Sequence, residues 1–209
     1  MMRQDFVGKD LRGQIFSGAD LNGVNFSNAN LSNVHLDGAN LSHANLSHVN
    51  LSNASLVNAI LMEARLDGVD LCNADMSGAN LTLACFSNQA DLCGVKFIQA
   101  NLRDAQFSDA NLVGADFDRA LLIGVTMENL KLDDAKLVYA NLHRARFTNV
   151  SMRGADLCGA DLSRAILKQV DLYDANFDGI IVKDAQFMQV SGLSEEIEQE
   201  FKQQGAQIL

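Results

Sequence analysis

The stretch Ala29-Asn30-Leu31-Ser32-Asn33-Val34-His35-Leu36-Asp37-Gly38-Ala39-Asn40-Leu41-Ser42-His43 is three copies of one five-residue unit. Its centres are Leu31, Leu36 and Leu41, and two positions before each stands Ala29, Val34 or Ala39. A five-residue period fits neither the 3.6-residue turn of a helix nor the two-residue alternation of a long strand. Within a unit, the small residue and the large one are two apart and share a side, as in a very short strand. The Ser, Gly or Asn pair that follows suits a corner. Each unit therefore reads as a short strand plus a corner that buries two side chains of five. One such unit has no core of its own, so it has to stack on its neighbours.

Outward from this stretch the period holds almost throughout. Centres run from Phe6, Leu11 and Phe16 to Phe86, then resume after one extra residue at Leu92 and continue to Phe187. Seventeen units precede the extra residue and twenty follow it. The extra residue lies within Ser87-Asn88-Gln89-Ala90 and reads as a bulge at one corner. The first units depart from the small-residue rule, with Gln4, Lys9 and Gln14. They read as one end of the stack.

The motif as it stands in Ala29-Asn30-Leu31, Ala79-Asn80-Leu81, Ala110-Asn111-Leu112 and Ala160-Asp161-Leu162 resembles the A(D/N)LXX unit of the pentapeptide-repeat proteins. The resemblance covers residues 6–187 and implies an all-β solenoid, a right-handed quadrilateral parallel β-helix with four units per coil. Thirty-seven units then make about nine coils, a rod of roughly 45 Å at strand spacing. With walls numbered 1 to 4 from Phe6, all ten phenylalanines at centres fall on walls 1 and 3, and the centres of walls 2 and 4 are leucine apart from Met152 and Val182. Bulky side chains are thus expected from two opposite walls, with smaller ones filling between.

Composition agrees. The 209 residues contain no proline, where about ten would be usual, because proline lacks the N–H that a stacked ladder needs. At 48% hydrophobic and 20% charged, the chain is not disordered in character. Net charge is −10 and the isoelectric point about 4.7, which argues against counterion-driven binding to nucleic acid or anionic lipid. Met1-Met2-Arg3-Gln4-Asp5 offers no apolar core for a signal peptide, and runs such as Ala120-Leu121-Leu122-Ile123 are far short of a membrane span. Four cysteines without CxxC spacing read as reduced thiols, and the expected compartment is cytoplasmic. Cys72 and Cys93 take the same position on wall 2 in successive coils, within disulfide reach, although free thiols are the first expectation.

After Phe187 the pattern changes. Residues 188–209 read as a helix and an apolar tail, with Ser194 as N-cap, Glu195, Glu196 and Glu198 in the first turn, and Gly205 at the C-terminal end. Leu193, Ile197 and Phe201, with Ile208 and Leu209, are candidates for capping the last coil or for pairing two chains into a homodimer. Residues 1–5 form a lead-in.

No catalytic, cofactor or metal constellation stands out. His43 and His48 occupy neighbouring corners that diverge, and Gly8 to Gly13 are repeat glycines without a following Gly-Lys-Ser/Thr. Stacked Asn30, Asn50, Asp70, Asp91 and Asn111 form one column, read as a structural ladder. Function is then expected on the outer surface, as a non-catalytic protein-interaction or scaffold module. Wall 4 carries outward Ile60, Met62, Leu83, Leu121 and Ile123, with Ile181 farther along, and these are the candidate protein-binding residues. Walls 2 and 3 hold an acidic excess. Length, one mid-chain extra residue, acidity and a C-terminal helix are also similar to the quinolone-resistance branch of the family. That resemblance implies the alternative, a DNA mimic that binds a type II topoisomerase such as gyrase. The units here are Leu-rich, and no long loop interrupts them.

Overall fold

The computed structural model describes residues 5–209. The expected lead-in, residues 1–4 of it, and Gln4 among the first units lie outside the described residues.

Parallel pairing recurs at a twenty-residue step along all four walls. On wall 4 the outward column runs Asp20, Asn40, Ile60, Asn80, then Asn101, Leu121, Asn141, Asp161 and Ile181, with the step lengthened by one across the insertion. The chain is therefore a quadrilateral parallel β-solenoid, because five residues make one wall and four walls close one coil. Most rungs are single-residue bridges. Extended strands form only from Cys85 onward, on wall 1 and, in the longer ones, through the corner into wall 2, as one parallel sheet in sequence order: β1 (Cys85–Phe86), β2 (Gln106–Ser108), β3 (Thr126–Lys131), β4 (Arg146–Ser151), β5 (Ile166–Asp171), β6 (Gln186–Met188) and β7 (Gln207–Ile208). Their pairings span about six turns, fewer than the nine coils expected, because the earlier coils bend after each bridge and contribute no extended strand.

The insertion explains where this change begins. A corner is closed by an N–H bond back to the preceding centre, as from Ala29 to the Phe26 carbonyl at 2.8 Å. At the same corner of the next two coils, the bond lengthens to 3.3 Å (Val49 to Leu46) and 3.4 Å (Val69 to Leu66). In the following coil Asn88 and Gln89 both take positive φ, 54° and 62°, to absorb the extra residue. Beyond it, β3, β4 and β5 continue through this corner, each turning at one residue of positive φ: Asn129 at 53°, Asn149 at 53° and Gln169 at 54°. One added residue thus bulges a corner and leaves the solenoid unbroken.

The core is one continuous column of the small residues and the centres, buried from Leu21 to Phe187 except at half-buried Ala175 and Phe177. Phenylalanines stack along a wall and meet edge-on across the core. Phe86 and Phe107 stack at 4.5 Å with parallel rings, whereas Phe97 meets them from the opposite wall at 6.3 and 6.5 Å, tilted by 79° and 78°. This is the two-wall arrangement expected from the placement of the phenylalanines. At the N-terminal end Lys9 and Gln14 are exposed, and Phe6, Leu11 and Phe16 are only half-buried.

Helix α1 (Glu195–Gln203) closes the other end. Ser194 caps it, its Oγ accepting the Ile197 N–H at 3.3 Å. At the C-terminus Gly205, at φ +93°, donates to Lys202, and Ala206 donates to Phe201, the paired bonds of a Schellman turn. The amphipathic turn lays Phe201 over the last coil, 1% exposed, edge-on to Phe177 at 5.5 Å and 5.2 Å from Phe187. Leu193 and Ile197 are half-buried against the same core. The tail does not stand outside the solenoid, because β7 pairs Ile208 with Phe187 and supplies one more rung. The ladder also reaches past Phe187 at Ser191, which pairs with Asp171.

Candidate interaction surface

The outer surface is built from three positions of each unit, and the asparagine or aspartate before the centre organises it. Asn25 Oδ1 accepts the Ser27 N–H at 3.1 Å, fixing the start of the corner, and the same oxygen accepts Asn45 Nδ2 at 3.1 Å from the next coil. The pattern repeats at Asn40 to Asp20 (3.1 Å), Asn111 to Asp91 (3.0 Å) and Asn176 to Asp156 (3.0 Å). Each donor reaches back to the preceding coil, so aspartate serves as acceptor but not as donor. Asp70 and Asp91 are adjacent in one column, and between these two carboxylates neither side chain can donate.

A second set of ties crosses coils at the corners. Asp37 accepts from Ser55 Oγ and from the Val57 N–H, and Asp133 accepts from Ser151 Oγ and the Arg153 N–H. Asp67 holds the bulge itself, accepting from Ser87 Oγ, Ser47 Oγ and Arg65 Nη2. Burial works against its charge, but the hydroxyls of Ser87 and Ser47 and the Arg65 guanidinium together hold its carboxyl below the usual range.

Wall 4 brings three of the five candidate apolar residues together. Ile60 and Met62 lie in one unit, 39% and 37% exposed, and Leu83 stands one coil on at the corner, 50% exposed. The His43–Glu63 pair at 3.3 Å borders them. Leu121 and Ile123 lie on the same wall but are half-buried, not fully outward as expected. Their column is interrupted by Asn80 and Asn101, whose amides bond at 3.4 Å, and exposed Arg103 separates Met62 from Ile123. The wall therefore carries one apolar cluster at its middle, with Leu121 and Ile123 as a flatter outlier. Ile181 is exposed farther along the column.

Wall 3 is not a simple acidic face. Its outward column reads Asp75, Lys96, Asp116, Lys136 and Asp156 in consecutive coils, so signs alternate. Lys96 reaches Asp75 at 3.7 Å and Lys136 reaches Asp116 at 3.9 Å. Two exposed tyrosines escaped the sequence reading. Tyr139 lies under the Arg119 guanidinium at 5.8 Å, and Tyr173 under Arg153 at 5.1 Å. The Tyr139 ring spreads over Gly159, where a Cβ would collide with it. The twenty-residue step was the available signal, since residues 119, 139 and 159 share one column.

A shallow groove of about 610 Å³ lies beside the bulge, lined by residues that include Gln89, Cys93, Asp109, Asn129 and Lys131. His143 Nδ1 meets Ser163 Oγ at 2.8 Å, but on a flat wall outside this groove. Among the described residues no three His, Cys, Asp or Glu side chains are grouped to hold a metal ion. No helix among them is long and apolar enough to cross a membrane.

Short repeat units, four walls and a buried leucine–phenylalanine column define a repeat solenoid. Family models for the pentapeptide repeats (8 copies) match residues 3–33, 25–61, 50–88 and 59–99, and one for the pentapeptide repeat region matches residues 100–177. The chain belongs to the pentapeptide-repeat proteins, which are generally non-catalytic. Among solved structures it is similar to HetL, a pentapeptide repeat protein involved in heterocyst differentiation regulation from the cyanobacterium Nostoc sp. strain PCC 7120. Identity is 30% over 92% of this chain and 94% of that one, with a TM-score of 0.45. It is also similar in fold to a trypsin-treated variant of QnrB1, a plasmid-mediated fluoroquinolone resistance protein, at 16% identity over 99% and 92% of the two chains and a TM-score of 0.60. A second QnrB1 variant gives 18% identity, coverage of 96% and 99%, and a TM-score of 0.52. No curated protein matches the sequence.

Proposed function

We propose that the protein is a non-catalytic interaction module of the cytoplasm that docks a protein partner on wall 4. The observation that carries this reading is the cluster of Ile60, Met62 and Leu83, large apolar side chains exposed together on a wall whose other positions are mostly polar. A stacked wall is rigid, so a partner meets a surface already in place and binding costs little ordering of the solenoid. The test compares recovery from a lysate of the source cells by three forms: the natural chain, a Met62→Asp/Leu83→Asp form, and a Val113→Asp control on wall 2. A partner retained by the control and lost with the wall 4 form supports docking there. Equal recovery by all three overturns it.

The second reading is a DNA mimic that binds a type II topoisomerase. Its support is the acidic excess of walls 2 and 3 together with a fold like that of QnrB1. The alternating Asp75–Lys96–Asp116–Lys136 column counts against it, because paired charges do not present a phosphate-like row. A supercoiling assay with purified gyrase decides. Inhibition by the protein supports mimicry, and absence of both inhibition and drug rescue rejects it.

A further inference from the structure

Cys72 and Cys93 occupy equivalent places on wall 2 in successive coils. Each follows its aspartate by two residues, and each backbone N–H is held by that aspartate, Cys72 by Asp70 Oδ1 at 3.0 Å and Cys93 by Asp91 Oδ1 at 3.2 Å. Asp70 pairs in register with Asp91, and the Asn73 N–H donates to the Cys93 carbonyl at 2.9 Å. The two cysteines therefore share one backbone conformation and send their side chains off the wall in one direction. Strands so stacked are about 4.8 Å apart, inside the Cα separation of roughly 4.4–6.8 Å that a disulfide spans. Both thiols are free and half-buried. Ser52 and Val113 hold the equivalent places in the coils on either side, and Cys85 and Cys158 belong to walls 1 and 3.

The segment between the two thiols is the coil that contains the extra residue. It closes in 21 steps instead of 20 and carries the Asn88–Gln89 bulge. Cys93 also lines the groove next to Gln89.

We propose that Cys72 and Cys93 are a reversible dithiol–disulfide pair that, by exchange with a low-molecular-weight disulfide, clips the coil before the bulge to the coil after it. One thiolate attacks a sulfur of the small disulfide, forming a mixed disulfide and releasing one small thiol. The second thiolate attacks the protein sulfur of that mixed disulfide, forming the Cys72–Cys93 bond and releasing the other small thiol. Two protein thiols are oxidised, one disulfide is reduced to two thiols, and the protein's two thiol protons end on the released thiols. Burial and the carboxylates of Asp91 and Asp70, together with the neighbouring Cys93, push the Cys72 thiol up to about 11. At neutral pH it is therefore almost wholly protonated, so its attack on a disulfide is slow.

The test treats the reduced full-length protein with excess oxidised glutathione and counts thiols after denaturation. The count should fall from four to two and return to four with dithiothreitol. Cleavage before aspartate separates Asp70–Ala74, Asp75–Ala90 and Asp91–Arg103, so each cysteine of the region lies in its own peptide. The expected product is Asp70–Ala74 joined to Asp91–Arg103, two hydrogens lighter than the separate peptides. Cys72→Ser should leave Cys93 carrying a single glutathione and abolish the joined peptide. Separate glutathione adducts on Cys72 and Cys93, or joined peptides that contain Cys85 or Cys158, would overturn the proposal.

Discussion

The side-chain amide of Gln204 stands in for a missing rung above Val182. Its Oε1 accepts the Val182 N–H at 3.1 Å and its Nε2 donates to the Ile180 carbonyl at 3.2 Å. The end of wall 4 thus receives from one side chain both bonds that another coil would supply. Open ladder ends invite pairing with other chains, and this amide, with β7 and α1, blocks that end.

Gln204→Ala should therefore cost about 1–3 kcal/mol, because it leaves a donor and an acceptor unpaired. Gln204→Glu keeps the acceptor and loses the donor, so its cost should be intermediate. Urea midpoints of the three forms check the order. Equal midpoints would reduce Gln204 to a surface residue.

Asp91→Asn should stabilise the protein by about 0.5–1 kcal/mol. Where Asx side chains bond between coils on one wall, the later coil donates to the earlier one, as Asn111 does to Asp91 at 3.0 Å. An asparagine at 91 could donate to Asp70 while still accepting from the Cys93 N–H and from Asn111. The same change at Asp70 removes the like-charge contact but points its new donor toward Asn50, so its gain should be similar only if charge relief dominates. Thermal melts of both variants separate the two causes.

The Asp67 tie makes stability depend on pH in a defined direction. Its carboxyl titrates below the ordinary range in the folded chain, so the charged form is favoured by folding. That contribution is present in full above the unfolded value near 4, and is lost as pH falls through the lower folded value. Asp67→Asn should accordingly destabilise the protein at pH 7 and make little difference at pH 2.5. Paired urea titrations at the two pH values measure this, and an equal penalty at both would show that packing, not charge, accounts for the loss.

Much of this fold is legible in sequence because its bonds are local or recur at a fixed step. Ala29-Asn30-Leu31 already contains the buried pair and the corner-setting amide. The placement of phenylalanine predicts that Phe97 enters the core from the wall opposite Phe86 and Phe107. The Ser194 cap and the Gly205 turn follow rules confined to a few residues. Gln204 was missed because its partners lie more than twenty residues away at the unrepeated end of the chain. The half-burial of Leu121 and Ile123 depends on which neighbours flank the wall at that level, and the five-residue pattern carries no such information. The alternating charges of wall 3 could be read once residues twenty apart were aligned, since neighbours in the ladder are never neighbours in sequence.

The twenty-residue register also sets how such a chain can change length. Adding or deleting a whole coil returns every later residue to its own wall, with phenylalanine columns and outward positions still aligned. Adding one five-residue unit would turn all that follows by a quarter, sending Phe97 and Phe117 toward walls filled by leucine and carrying the residues of wall 4 around the rod. A single residue at 87–90 does neither, because two positive φ values absorb it at one corner. Length in this protein is thus quantised: it tolerates steps of one at a corner and steps of twenty anywhere along the rod, but steps of five would scramble its surface.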